Sequence, residues 1–500
     1  MTDRFERLRE SIPAFLLGTS LLAGTAAVAG SFAVAGLTDA FPFTPVSSFV
    51  VDTTLAVIVN TVLAVFGEFG QLMQIAAALA LTVGLFAVAV GIGMELGRVT
   101  VGKPLGALGF VGLVALALTG APLAALGSAL PAALVVFLAY RRANDPLSVA
   151  DARPNPARRR FLETSFGVAG FVGAGYIAGH ARSPAQEMPF LGGGSRPPAD
   201  VERLLIEADE KGFELPGAPN LVSQIGEFYT IDINTVTPQV DAEAWSFEAT
   251  GAVGSELSVS YDDLREMPTE TRFTTLRCVG EDINDREMDN AVWTTTPASA
   301  IVEEAEATGD YAVVYAEDGF WNTIPREAFE NSYLAYGMNG RVLPREHGHP
   351  VRLLVPGRWG ETNVKWLDRV EFTDEDVDGY WEERGWDGTG EVSAVAKLWT
   401  VEQSEDSVLV GGHAYDGVDG ISAVELSLDG GETWTETDVT ESLSTDDGWR
   451  QWRYEFPAEA GDYDLVVRAI DGNGEIQEAE PTDAFPDGAT GWVSRTITVS

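Results

Sequence analysis

Cys278, in the run FTTLRCVGED (273–282), is the single cysteine of a 500-residue chain. It has no partner for an internal disulfide, so it is either a small apolar side chain filling a core or a thiolate that reacts or ligates a metal. Few other side chains compete for chemistry. The histidines are His180, His347, His349 and His413, too few and too scattered for paired haem ligation among apolar helices. The sequence lacks a C-x-x-C-H haem site, a cysteine set for zinc or iron–sulfur, and a G-x-x-x-x-G-K-S/T phosphate loop. Asp374, Asp376, Asp378 and Gly379 imitate the start of a calcium loop, but its twelfth position is Gly385, and the run reads as an acidic surface turn.

The elements that must position Cys278 begin near residue 220, where short β-type runs alternate with helices. WSFEATGAV and YAVVYAEDGFWNTIP read as strands, while SVSYDDLREMP and TTPASAIVEEAEATG carry helix caps and helical spacing. From about 395 the pattern is strands between turns, including AVELSLDGGETW and GWVSRTITVS. This tail reads as an immunoglobulin-like β-sandwich without a disulfide. Residues 220–394 therefore form an α+β domain and 395–500 the sandwich.

The first third is different in kind. IPAFLLGTSLLAGTAAVAGSFAVAGL (12–37) and LMQIAAALALTVGLFAVAVGIGM (72–94) are each long enough to span a bilayer core of about 30 Å. The uncharged run 105–140 divides at Gly120 and Pro122 into two more spans. Segment 47–70 carries Asp52 and Asn60 and reads as a half-buried helix at the outer surface or a further crossing. Arg4, Arg7, Arg9, Arg98, Lys103, Arg141, Arg142, Arg153 and Arg158–Arg160 lie together on the cytoplasmic side if four spans precede Arg141. Arg158, Arg159, Phe161 and Leu162 fit the R-R-x-F-L core of a twin-arginine export signal ahead of a fifth span at about 162–180. Residues 1–182 are thus expected to be a multi-pass α-helical membrane domain in the cell membrane, 183–219 a linker, and the C-terminal domains extracellular.

The chain has 75 Asp+Glu against 32 Lys+Arg, a formal charge of −43, which argues against a nucleic-acid partner. With 45% hydrophobic and 10% aromatic residues it still has material for cores, so the acidity points to a high-salt habitat rather than disorder.

Three stretches of the soluble region resemble the sulfite oxidase family of molybdopterin enzymes. TTLRCVGEDINDREMDNAVWTTTPASAIVEEA (274–305) is similar to the segment whose cysteine ligates molybdenum. LAYGMNGRVLPREHGHPVRLLVPGRWGETNVKWLDRVEF (334–372) carries the L-A-Y-x-M-N-G, H-G-x-P-V-R, V-P-G and V-K-W-L elements in order. ISAVELSLDGGETW (421–434) resembles the C-terminal dimerisation domain. The resemblance implies one molybdenum-molybdopterin per chain, ligated by Cys278, a soft donor suited to such a metal. It implies further that His347 and Arg352 hold the pterin and its phosphate, with Asn363, Val364 and Lys365 as the next contacts. EFYTIDINTVTPQVD (227–241) matches the clasping segment and places Tyr229, Thr230, Asp232 and Asn234 nearby, with Glu317 or Asp318 as an acidic contact.

Departures from the family bear on the substrate. Thr230-Ile231 stands where sulfite oxidases place an anion-holding arginine, Trp386 stands where they have a tyrosine, and Gly280-Glu281-Asp282 follows the cysteine. An acidic pair beside the metal repels sulfite. The expected function is oxygen-atom transfer, or a related two-electron reaction, on a small molecule other than sulfite, with a separate electron carrier or membrane quinone as partner and a homodimer through the sandwich. Sulfite dehydrogenase-like sulfur oxidation is the alternative within the class. A non-catalytic membrane-anchored binding module on a degenerate fold is the alternative outside it.

Overall fold

The computed structural model describes residues 2–53, 68–100, 102–144, 156–182, 188–234, 236–387, 390–445, 447–457 and 459–499. The chain forms two compact units, Met1–Ala185 with Asp232–Gln239, and Gln186–Ile231 with Val240–Ser500.

The first unit is helical: Thr2–Ala35, Phe43–Thr53, Glu68–Val99, Lys103–Thr119, Pro122–Asn144 and Pro156–His180. Glycines let these helices meet backbone to backbone. A Cβ on Gly93 would stand 2.5 Å from the Gly106 carbonyl oxygen, and one on Gly127 2.9 Å from that of Gly30. Gly120 takes φ 64° and returns its N–H to the Leu116 carbonyl, ending one helix where Pro122 opens the next. Among the described residues, three helical stretches are long and apolar enough to cross a membrane: Leu16–Ala35, Met73–Arg98 and Pro122–Arg141. Of the five spans expected, Lys103–Thr119 is a shorter apolar helix, and Pro156–His180 is a helix outside those three. The centre of the 47–70 segment, residues 54–67, lies outside the described residues.

The second unit holds one mixed sheet, one antiparallel sheet and a pair of packed antiparallel sheets. In the first sheet the strand order is Leu257–Ser260, Ser246–Gly251, Leu367–Thr373, Tyr311–Ala316, Trp321–Pro325, with Ser246–Gly251 parallel to Leu367–Thr373. In the second, Glu270–Arg277 pairs antiparallel with Met288–Pro297, which pairs with Tyr333–Met338, which in turn pairs with Arg352–Leu354. Met288–Pro297 is buried along nine of its ten residues, so it is covered on both faces instead of alternating. Toward the C-terminus, Ser407–Tyr415 and Arg450–Pro457 lead one sheet, and Ile421–Ser427, Gly461–Asp471 and Val493–Val499 the other. Val408, Val410, Trp452 and Phe456 from the first pack against Val424, Leu426, Leu465, Val467 and Ile497 from the second. That shared apolar layer makes this region a two-sheet sandwich.

Candidate functional site

Cys278 is the first residue after strand Glu270–Arg277, and its N–H donates to the Glu287 carbonyl at 2.9 Å. The loop 278–287 is thereby closed at both ends by strand pairing and by this bond. Cys278 is only partly covered. Burial nonetheless pushes its thiol up to about 12, Glu281, Glu287 and Glu361 add to the effect, and the Gly280 N–H opposes it. Left alone, this sulfur stays protonated; an electropositive metal would be needed to hold it as thiolate.

Tyr229 stands beside it. Its hydroxyl is driven well above its usual range by burial, and it feels both Cys278 and Arg352. A Cβ on Gly360 would lie 2.8 Å from the Tyr229 hydroxyl and 2.8 Å from the Arg277 carbonyl, so only a glycine fits against the root of the cysteine loop. Trp386 closes another side, its ring 3.7 Å from where a Gly280 Cβ would be. Glu361, next to Gly360, has both carboxyl oxygens shut from solvent and unpartnered among the described residues. Burial and then Glu382 raise it to about 7.

The 347–365 motif folds into one knot. His347 is buried, lies edge-on to Phe228 with its Nε2 3.2 Å from the Ile225 carbonyl, and is held neutral, down to about 4, by burial and by Arg352. Arg352 donates to the carbonyls of His347 at 3.2 Å and Asn363 at 2.8 Å. Asn363 accepts the Val355 N–H through Oδ1, and the Val364 carbonyl accepts the Leu353 N–H. Lys365 donates to the Glu346 carbonyl at 3.2 Å.

Arg352 supplies the test of fit for a phosphate-bearing cofactor. Its side chain is 4% exposed, its Nε has no partner, and no described carboxylate pairs with it. A buried guanidinium satisfied only by carbonyls is costly, and burial draws it down to about 10, still charged at neutral pH. An anion is what this arrangement lacks, and a forked donor suits phosphate. The residues present fit the group.

Not every expected residue gathers here. Thr230 is exposed. Asp232 and Asn234, joined by an N–H to carboxylate bond of 3.0 Å, belong to the segment that clusters with the helical unit. Asp318 occupies the turn between Tyr311–Ala316 and Trp321–Pro325, in the other sheet from Cys278, and accepts the Phe320 N–H.

The expectation of an acidic pair facing the substrate is corrected. Glu281 is fully buried, with Oε1 2.9 Å from Arg277 Nε and 2.5 Å from Lys397 Nζ. Its charge is taken up by two cations, leaving only Asp282, which is exposed. Lys397 was not legible as a site residue, because 116 positions separate it from Glu281. Asp289 was also missed: it accepts from the Ser223 hydroxyl and, at 2.8 Å, from the Tyr229 N–H. A lone carboxylate inside the apolar run MDNAVW was the available signal.

Residues 234–381 match the family described as oxidoreductase molybdopterin binding domain, and 391–485 the Mo-co oxidoreductase dimerisation domain. Mitochondrial sulfite oxidase of Rattus norvegicus is 27% identical over 298 residues, covering 48% of this chain and 54% of the rat protein. That of Homo sapiens is 29% identical over 301 residues with the same coverage. The chain thus spans about half the length of these relatives. An uncharacterized oxidoreductase of Bacillus subtilis (strain 168), YuiH, is 29% identical over 189 residues, covering 37% of this chain and 91% of its own length. The sulfane dehydrogenase SoxCD of Paracoccus pantotrophus shares the fold, with TM-score 0.51 and 19% identity over 63% of this chain and 94% of that one. With the cysteine loop and the arginine knot in place, residues 234–381 carry a molybdopterin-binding oxidoreductase domain and 391–485 the matching dimerisation domain, and over 48% of its length the chain is similar to the sulfite oxidases.

Proposed function

We propose that the chain is a membrane-anchored molybdenum-cofactor oxidoreductase that moves an oxygen atom between water and a small molecule outside the cell. The observation that carries this reading is the pairing, in one unit, of a half-covered thiol with a buried arginine that has no counter-anion among the described residues. Cys278 would ligate the metal. Arg352, with the backbone and side chains of His347, Asn363, Val364 and Lys365, would hold the pterin and its phosphate. Tyr229 is the further contact the geometry favours, and Thr230, Asp232, Asn234 and Asp318 remain candidates from resemblance. When bound, the cofactor supplies the two-electron redox chemistry.

The chain's own residues do the rest. His347 stays neutral and can serve as a hydrogen-bond acceptor or donor without adding charge. Trp386 walls off water on the Gly280 side. Glu361, poised to hold or release a proton near neutrality, is placed to carry one of the protons that oxygen-atom transfer to or from water requires.

Sulfur oxidation gains ground as a second reading, because Glu281 faces Arg277 and Lys397 and no longer opposes an anion at the metal. Reductive turnover of an S-oxide or N-oxide is the opposite direction of the same chemistry, and redox dyes offered to purified protein separate the two. Electrons would pass to a separate carrier or a quinone. The remaining features of the reading are anchoring by the N-terminal helices, twin-arginine export, an immunoglobulin-like fold for the sandwich, homodimerisation through it, and a saline habitat.

Metal and pterin analysis of the purified chain, wild type beside Cys278→Ser, tests the reading. About one molybdenum and one pterin per chain, with the metal's electronic spectrum changed by the serine, is expected. Neither metal nor pterin, in protein from a host that makes the cofactor, would leave a binding module on a degenerate fold.

A further inference from the structure

Three charged side chains meet behind the cysteine loop, all of them fully buried: Arg277, Glu281 and Lys397. Arg277 immediately precedes Cys278, and Glu281 follows it by three residues. Lys397 comes from beyond the first domain, in the stretch following strand Val395–Ala396. Its Nζ reaches Glu281 Oε1 at 2.5 Å and the Asp285 carbonyl at 2.9 Å, so one side chain grips the loop at two points. Arg277 grips in the other direction, donating to the carbonyls of Ser393 at 2.7 Å and Ala489 at 2.9 Å, with its guanidinium 4.6 Å over Trp359. Asn284, on the same loop, accepts the Leu398 N–H at 2.8 Å and donates to the Leu398 carbonyl at 3.2 Å.

We infer that Lys397 is a positioning residue of the catalytic centre, through which the C-terminal domain holds the Cys278 loop in place and offsets the Glu281 charge that the sulfur would otherwise feel. The inference rests on the molybdenum reading above.

Two physical arguments support it. Glu281 alone would be a buried carboxylate close to Cys278, and its field acts on the thiol. In a medium of low effective dielectric such a charge disfavours adding an electron to a neighbouring centre. Lys397, fully enclosed, supplies a compensating charge; burial lowers it to about 8 while Glu281 opposes that fall, so it remains protonated at neutral pH. Second, a buried carboxylate whose Oε1 is held by two cations, one of which also binds the Asp285 carbonyl, is fixed in place, which is how a loop between two strands acquires a fixed sulfur position.

The test uses the full-length holoenzyme. Molybdenum and pterin are quantified, and the midpoint potential of the metal is followed by its paramagnetic signal, in wild type, Lys397→Met, Lys397→Arg and the double variant Lys397→Met with Glu281→Gln. Lys397→Met is expected to move the potential downward, Lys397→Arg to keep it near wild type, and the double variant, which removes both charges together, to bring it back. A purely structural lysine predicts a double variant at least as perturbed as the single one. Should Lys397→Met lose its molybdenum, retention by Lys397→Arg supports the positioning role, and equal loss by Lys397→Arg overturns it. An unmoved potential in loaded Lys397→Met also overturns it. Wild-type protein without molybdenum or pterin would instead fail the reading of function on which the inference stands.

Discussion

The carboxylate of Asp289 accepts the backbone N–H of Tyr229 at 2.8 Å, which ties the segment before the second sheet to the start of its most buried strand. The same group accepts the Ser223 hydroxyl, and burial raises it to about 7 despite both bonds. Asp289→Ala would leave a buried amide donor unsatisfied, a cost of about 1–3 kcal/mol. It would also loosen the chain that presents Tyr229 to the Cys278 side of the site. The expected outcome is a lower denaturation midpoint together with faster loss of pterin during desalting. Asp289→Asn, which keeps an acceptor, is expected to fall between.

Glu361 sets a pH dependence whose sign can be worked out. Its folded-state value, about 7, lies above the ordinary 4.5, so between those values the folded state binds more protons than the unfolded one. Stability from this group therefore declines as pH rises from about 4.5 to about 7, by at most about 3 kcal/mol. His347 and His413, lowered to about 4 and about 3 by burial, act oppositely at acid pH, since their charging on unfolding favours the unfolded state there. The clean measurement is a difference. The stability of Glu361→Gln minus that of wild type, in cofactor-free protein, should be near its minimum at pH 4 and grow up to pH 8. A flat difference would mean that Glu361 ionises normally.

The 347–365 cluster was legible as one group because its motif is local. His347, Arg352, Asn363, Val364 and Lys365 lie within nineteen positions, and the 3-10 turn Arg345–His347 and strand Arg352–Leu354 fold them onto one another. Ser260 was readable as a cap for the same reason: it forms a capping box with Asp263 at the start of Tyr261–Glu266. The cap expected before Ser299–Ala305 is absent, because Ala298 occupies the N-cap position and tertiary packing holds the helix. Glu281 was misjudged for a different reason. V-G-E-D has the composition of a surface turn, and nothing within ten residues announces the lysine that buries it. Charge partners brought together by domain packing leave no periodic trace in sequence.

Gly360 offers a test of how tightly the loop is packed. A methyl group there would stand 2.8 Å from the Arg277 carbonyl and 2.8 Å from the Tyr229 hydroxyl, closer than packed atoms allow. Gly360→Ala must shift the backbone on one side or the other, at a cost of about 1–3 kcal/mol. Because the strand on one side leads into Cys278, an altered metal spectrum in the loaded protein is expected beside the lowered stability. Tyr229→Phe removes the hydroxyl half of the clash, so the double variant should recover part of the lost stability. No recovery would mean that the Arg277 carbonyl alone sets the limit.

Arg352 yields the sharpest prediction, because its two effects run in opposite directions. In the cofactor-free protein it is a buried cation with an unpartnered Nε and no described carboxylate, so replacing it with an apolar side chain of similar length relieves a desolvation cost. Against that gain stand the lost bonds to the carbonyls of His347 and Asn363, each worth about 1.5–3 kcal/mol when the donor is charged. Arg352→Met should therefore leave apo stability within about 1–2 kcal/mol of wild type, a small effect for removing a charged core residue. Cofactor retention should collapse, because the anion loses the buried forked donor of the knot. Arg352→Lys keeps the charge and loses the fork, and should hold pterin weakly, with a stronger dependence on salt. Chemical denaturation of apo protein and pterin quantification after gel filtration separate the two effects. A variant that loses most of its stability and yet keeps its pterin would assign Arg352 to the core and not to the phosphate.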